Sequence, residues 1–310
     1  MSERIGFVGL GQMGQPMALN LLQAGYKLRV FDVRQERMAP LVAQGAEPGA
    51  SPGEATEPGG IVLSMVPDDR ALLAVALGEG GILSRLGRKG IHLSLSTVSP
   101  EVSAQLAKVY RQQGSHYLSA TVLGRPEVAE EARLSIFLSG DLDAKARVLP
   151  LLDALALHLY DLGERVEVAN AVKLGYNFLI AAAIEAMGEA AALVEHCGAD
   201  RAQFLRMLVA SPLFTGAVYE AYGRMIGERD YSDARFPVPM GLKDVRLILQ
   251  AADRVAVPLP YAEIVHEHLL AAQATGRSYE DWSVLAEYVM QHVVSNTVSV
   301  QGGRSGQVSG

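Results

Sequence analysis

The sequence predicts an α/β chain in which a doubly wound, mostly parallel sheet is followed by an all-helical domain. Three observations carry that expectation. A short apolar run, Ile5 to Leu10, meets closely spaced glycines and gives way to an amphipathic pattern, which reads as strand, tight turn and helix. Strand and helix signals then alternate as far as Leu162, the mark of a parallel sheet with crossover helices. After Gly163 the texture changes: Val166 to Cys197 contains no proline and much alanine.

The first unit is the most informative. Gly9, Gly11 and Gly14 stand in G-x-G-x-x-G spacing, followed by Met17, Leu19, Leu21 and Leu22 at helical intervals. Each glycine has its own reason. Gly9 lets the chain turn out of the strand, Gly11 has no side chain to hold a pyrophosphate away, and Gly14 lets the helix pack close to the sheet. Gly9, Leu10, Gly11, Gln12, Met13 and Gly14 are therefore candidate cofactor-binding residues, with the anion on the positive end of a helix starting near Met13. Pro16 suits a first helical turn, where its missing N–H costs nothing. A second strand, Lys27 to Phe31, ends in Asp32, placed to bond the adenosine ribose hydroxyls of a dinucleotide.

The chain continues in the same rhythm. A short helix is expected over Gln35 to Gln44, and a proline- and glycine-rich loop over Gly45 to Gly60 with one helical turn near Glu54. Ile61 to Met65 reads as a strand stopped by Pro67, and Ala71 to Leu77 as a helix closed by Gly78, Gly80 and Gly81. His92 to Leu95 is the next strand, and Ser96 to Pro100 opens a helix running to about Gln113. Strands follow at His116 to Ser119, Leu134 to Leu138 and His158 to Tyr160, with a helix from Leu142 to about Leu155 between the last two. Residues 1–163 are thus expected to form one nucleotide-binding domain.

Residues 164–294 are expected to form the second domain. Val166 to Cys197, capped by Gly198, reads as one helix of about 30 residues, roughly 45 Å long, which outruns a small domain and founds the next. Further helices are expected at Ala202 to Val209, Gly216 to Ile226, Met240 to Arg254, Tyr261 to Thr275 and Tyr279 to Val294. Residues 295–310, glycine-rich and without periodicity, read as a flexible tail.

Composition narrows the function classes. The 310 residues suffice for two domains, and 49% hydrophobic with 20% charged residues is ordinary globular usage. A formal charge of −7 offers no basic surface, so nucleic acid is not an expected partner. The lone Cys197 cannot form an internal disulfide and is expected to pack rather than react. Met-Ser-Glu-Arg leads straight into a strand, and no uninterrupted apolar run reaches ~18 residues. The expectation is a cytoplasmic protein with no membrane partner. His266 and His268, two apart on a helix, face different ways and make no metal pair, so no metal is expected.

Lys173 and Asn177 are four apart and share a face of the long helix, near the point where the chain leaves the nucleotide domain. A lysine in a partly dry cleft there loses some of its pKa and can give a proton to a carbonyl oxygen, or take it back. At this point the chain resembles a known family. Phe7-Val-Gly-Leu-Gly-Gln-Met-Gly through Gly25, Met65-Val66-Pro67, Ser96-Thr97 with Pro100, Lys173-Leu-Gly-Tyr-Asn177 and Gly241-Leu-Lys243-Asp244 are similar, in order, to the motifs of the β-hydroxyacid dehydrogenases, the 3-hydroxyisobutyrate dehydrogenase type, related to the imine reductases.

That resemblance implies a Rossmann domain joined by the long helix to a helical domain, and an NAD(P)-dependent oxidoreductase. It implies Lys173 as catalytic lysine, Asn177 as the residue that helps hold substrate or lysine, Val66, Pro67 and Thr97 as cofactor-lining residues, and Lys243 as the lysine that closes over the nicotinamide. It makes Val122, Leu123, Gly124 and Arg125 the substrate-binding stretch, where this chain departs from the family's Pro-Val-Ser-Gly-Gly. Leu123 cannot donate the hydrogen bond of the serine it replaces. Glu167 and Ala169 replace a Gly-x-Gly turn before the lysine. Arg125 offers a bidentate carboxylate clamp of its own, and a more apolar site for neutral ketones or imines is the alternative. Asp32 favours NAD, and Arg34 leaves NADP open. The long alanine-rich domain points to a homodimer or homotetramer acting on a small-molecule substrate. Loss of catalysis, leaving a nucleotide-binding scaffold, is the remaining alternative.

Overall fold

The computed structural model describes residues 4–289. β1 (Arg4–Val8), α1 (Gly14–Gln23) and β2 (Lys27–Phe31) form the first unit, and α2 (Ala39–Val42) leads to the two-residue β3 (Glu47–Pro48). β4 (Ile61–Ser64), α3 (Asp69–Leu77), α4 (Leu83–Leu86), β5 (Ile91–Ser94) and α5 (Pro100–Gln112) continue the alternation. β6 (His116–Leu123), α6 (Pro126–Glu130), β7 (Leu134–Ser139), α7 (Leu142–Asp153) and β8 (Ala156–Asp161) complete it. The eight strands lie in the order β3-β2-β1-β4-β5-β6-β7-β8. Every pairing is parallel except β6 with β7.

This order fixes where a ligand can sit. From β1 the chain winds outward through β2 to β3, then returns to place β4 on the other side of β1, so the crossovers on either side of that pair leave in opposite directions. A crevice opens there, outside the carboxyl ends of β1 and β4. Helix starts on that side follow the expected chemistry, Asp68 accepting from the Ala71 N–H and Ser99 from Val102; at the opposite end of the sheet, after the reversed β7, Asp141 accepts from Ala144. Met17 and Leu21 fill one face of the sheet, and Leu72, Leu106 and Tyr110 the other. Each such fully buried side chain contributes about 1.5–3 kcal/mol.

α8 (Glu167–His196), 30 residues long, leaves the sheet and enters the helical domain as expected. It is followed by α9 (Arg201–Ala210), α10 (Ala217–Glu228), α11 (Val238–Arg254) and α12 (Pro260–Ala274). By length and composition α8 could cross a membrane, with a mean hydropathy of 1.5 over its most apolar stretch. Here Ala181, Ile184, Met187 and Ala191 are instead used in the core of the helical domain. Its buried Asn170, Lys173, Asn177 and Glu185 face protein.

Several expectations need correction. The helix expected over Tyr279 to Val294 is, within the described residues, a 3₁₀ turn at Trp282–Glu287. Its backbone bonds are spent elsewhere: Trp282 donates to the Phe236 carbonyl, Asp281 to that of Tyr231, and the Asp281 carboxylate caps Ser283 and Phe236. Residues 290–294 and the tail at 295–310 lie outside the described residues. β6 runs to Leu123, four residues further than expected, because antiparallel pairing with β7 sustains it. β3 sits inside the stretch expected to be loop; Pro48, which reads as a breaker, is tolerated on an edge strand. Cys197 is exposed at the end of α8 rather than packed.

Candidate active site

The glycine turn has the shape its spacing predicts. Gly9 has φ of +92°, and a side chain there would press its Cβ to 2.2 Å from the Met65 carbonyl oxygen. A Cβ on Gly14 would stand 2.0 Å from the Gly9 carbonyl oxygen, so strand and helix meet only with glycine at both places. Gly11 differs: a Cβ there would meet nothing nearer than the Arg37 guanidinium at 3.7 Å. Its open side is a cradle that a side chain would fill. No side chain caps the start of α1 at Met13, which leaves the first amides of the helix, with the helix dipole behind them, for a ligand in that cradle. The segment fits the diphosphate of a dinucleotide.

Asp32, buried at the end of β2, first serves the turn itself. Its Oδ2 accepts the Leu10 N–H at 2.7 Å and its Oδ1 the Arg34 N–H at 2.8 Å, while Arg37 lies 3.6 Å away. Each oxygen keeps a lone pair for a further donor. Val66 and Pro67 follow β4, and the Val66 N–H donates to Ser96 Oγ at 2.8 Å, so the segments after β4 and β5 are tied together. The sequence reading quoted Ser96 with Thr97 in one motif but gave a role to Thr97 alone.

From the helical domain, Lys243 on α11 reaches across to that second segment. Its ammonium donates to the Thr97 carbonyl at 3.1 Å and pairs with Asp244 Oδ1 at 2.6 Å. The other Asp244 oxygen accepts the Asn177 amide at 2.5 Å. Asn177 is thus bound to Asp244, a partner the sequence reading did not name. Lys173, one turn earlier on α8, is buried at 8% exposure. Burial pushes its ammonium down to about 8, with Asp244 pulling it up and Lys243 pushing it further down. A lysine near neutrality can both give and take a proton at ordinary pH. Asp244, 2% exposed, is the buried charge around which Lys243, Asn177 and Lys173 are arranged; its place directly after Lys243 was the available signal.

The stretch from Val122 to Arg125 is split by the fold. Val122 and Leu123 belong to β6, pairing with Ile136 and Ser135 of β7. Thr121, just before them, donates to the Ala169 carbonyl at 3.0 Å and so fastens β6 to the first turns of α8. Gly124 ends the strand at φ of +152°. Arg125 then turns toward the helical domain, its guanidinium 4.9 Å from the centre of the Tyr222 ring on α10. The Tyr222 hydroxyl accepts from the Trp282 indole at 3.0 Å, so the ring beneath Arg125 is held in place. Nothing in the local sequence marks Tyr222, which lies about 100 residues away. Among the described residues no cluster of His, Cys, Asp and Glu could hold a metal ion.

Comparison with known proteins gives the arrangement its relatives. Residues 4–163 match the family described as the NAD binding domain of 6-phosphogluconate dehydrogenase, and residues 168–289 the NAD-binding domain of NADP-dependent 3-hydroxyisobutyrate dehydrogenase. The chain is 40% identical to the oxidoreductase YfjR of Bacillus subtilis, over 92% of its own length and 99% of the relative's. It is 30% identical to the 3-sulfolactaldehyde reductase of Escherichia coli, over 92% and 95%. The crystal structure of 3-hydroxyisobutyrate dehydrogenase from Salmonella typhimurium shares the fold, with a TM-score of 0.81 over 93% of this chain and all of that one at 24% identity.

Proposed function

The chain belongs to the β-hydroxyacid dehydrogenase family of NAD(P)-dependent oxidoreductases, and on that premise we propose that it interconverts a small hydroxy acid and its semialdehyde or keto form, with Lys173 as general acid and base. The observation that carries this reading is the buried Lys173, brought to about 8 and surrounded by Asn177, Asp244 and Lys243 at the junction of the two domains. The nicotinamide, when bound, supplies or accepts the hydride. Lys173 supplies or accepts the proton at the carbonyl oxygen, in the dry setting where such a transfer is most effective. Asn177, clamped by Asp244, orients substrate beside it. Gly9, Leu10, Gly11, Gln12, Met13 and Gly14 hold the diphosphate, Val66, Pro67 and Thr97 line the nicotinamide half, and Lys243 closes over it.

Asp32 supports a preference for NAD, because its carboxylate repels a 2′-phosphate. Arg34 and Arg37 beside it leave NADP as the second cofactor. NADH is expected to bind with a lower Kd than NADPH in fluorescence titration, and the reverse order would overturn the preference.

Arg125 is the substrate's anion clamp in this reading. Its half-buried guanidinium, stacked on Tyr222, keeps N–H donors in the plane of its fork for a carboxylate or sulfonate. This compensates for Leu123, which has no donor. Arg125→Ala is expected to raise KM for an acidic semialdehyde about tenfold or more, a loss of about 1.4 kcal/mol, with kcat changed much less. An unchanged KM removes Arg125 from the site. Turnover confined to neutral ketones or cyclic imines would show instead that Leu123 has redirected the pocket. Tight cofactor binding without any turnover would leave the nucleotide-binding scaffold.

A homodimer or homotetramer is proposed from the exposed Tyr160, Tyr176 and Leu179, the two tyrosines stacked on Phe137 beside the β8 edge. The acidic balance argues against nucleic acid, and the protein is placed in the cytoplasm, off the membrane.

A further inference from the structure

Asn170, three residues before Lys173 on the same face of α8, is 1% exposed and hydrogen-bonded at both its nitrogen and its oxygen. Its amide donates to the Val98 carbonyl at 3.3 Å, and its Oδ1 accepts the Ser103 hydroxyl of α5 at 2.9 Å. The Val98 carbonyl is the neighbour of the Thr97 carbonyl that Lys243 holds. One residue earlier, Ser96 Oγ holds the Val66 N–H. Residues 96, 97 and 98 therefore each bind one other part of the site: the segment after β4, then α11, then α8.

A closed circuit results. It runs from Thr97 through Lys243, Asp244 and Asn177 into α8, and back through Asn170 to Val98. Lys173 stands on α8 between the circuit's two attachment points, Asn170 and Asn177. The first turns of α8 are fastened to β6 and β7 through Thr121 and Ser139; Asn170 adds a tie that joins the turn before Lys173 directly to the 96–98 segment.

We propose that Asn170 is a positioning residue for the reaction: its donor bond to the Val98 carbonyl fixes Lys173 against the Thr97 segment. This rests on the reading of Lys173 as the proton-transferring group. The Ser103 bond on the other side of the same side chain only steadies the amide. The charged groups acting on Lys173 are Asp244 and Lys243 of α11, and none of the substitutions below alters them.

The test compares Asn170→Ala, Ser103→Ala and Asn170→Gln with the parent, reading kcat and KM, cofactor Kd, and the pH dependence of Lys173 labelling by an amine-reactive reagent under mass spectrometry. Asn170→Ala is expected to lose at least about tenfold in kcat, the scale of an ångström-sized misplacement, with KM and cofactor Kd within about twofold. Its Lys173 labelling midpoint should rise toward that of an ordinary lysine, as water enters beside the loosened helix. Ser103→Ala should keep both the kcat and the midpoint, and Asn170→Gln, which retains the donor, should restore most of the rate. A labelling midpoint unchanged in Asn170→Ala overturns the proposal whatever the substrate, as does an equal loss in Ser103→Ala. A parent whose Lys173 titrates as an ordinary lysine overturns the general-acid reading itself. Labelling and Kd report without turnover, so the two failures are told apart.

Discussion

Lys173→Ala is expected to lower kcat by about 10²–10⁴-fold, the range that a positioned general acid or base supplies, while cofactor Kd stays within a few-fold of the parent. The separation follows from geometry. Lys173 lies on α8, and none of the hydrogen bonds that shape the glycine turn, the proposed diphosphate site, involves it. Removing the side chain also removes a buried charge that folding had to desolvate, so the variant should fold. The parent's pH profile carries the same signature. Reduction of a carbonyl needs the ammonium and should fall as pH rises through about 8, whereas oxidation of the alcohol needs the neutral amine and should rise there. Steady-state rates in both directions between pH 6 and 10 read this directly, and identical profiles in parent and variant would exclude Lys173.

Asp244→Ala is expected to be the most disruptive single change at the junction. It removes the acceptor of both Asn177 and Lys243 and leaves the Lys243 charge facing Lys173 without its counter-ion. Breaking a buried ion pair from one side costs about 3–5 kcal/mol; with Lys243 about a quarter exposed, a loss near 3 kcal/mol is expected in chemical denaturation. The electrostatic sign is definite. Asp244 raises the Lys173 pKa, so its removal lowers it, and the pH at which carbonyl reduction fails should move below the parent's. A rise in that midpoint, or an unaltered denaturation curve, would contradict the arrangement. Asp244→Asn retains an acceptor for Asn177 and should recover part of the stability but not the pH midpoint.

What the sequence made legible was whatever is encoded locally. The glycine turn could be read because its spacing lies within one strand-turn-helix unit, where Gly14 meets the Gly9 carbonyl; the contact that Gly9 makes with Met65, after β4, could be seen only in the structure. The length of α8 was legible because nothing between Val166 and Cys197 interrupts a helix. Lys173 with Asn177 followed from helical spacing, and the resemblance gave them a role.

The failures share a cause, which is dependence on distant residues. The tie of Asn177 to Asp244, 67 residues on, has no sign in the sequence around it. The Trp282 segment carries helix-like periodicity, yet its backbone is claimed by Tyr231 and Phe236. Leu123 read as loop because the partner that keeps it in a strand, Ser135, is beyond a turn and a short helix. Asn170 went unremarked although it shares a face with Lys173. An asparagine gives no sign of its partners until the Val98 carbonyl and the Ser103 hydroxyl are placed around it.

The most direct test is a single-turnover reaction with nicotinamide deuterated at C4 and an acidic semialdehyde, run on the parent and on Lys173→Ala. Deuterium is expected on the hydroxyl-bearing carbon of the product in the parent, with the rate lost in the variant. Bound cofactor that transfers no deuterium to any acidic carbonyl, or a variant that transfers it as fast as the parent, would contradict it.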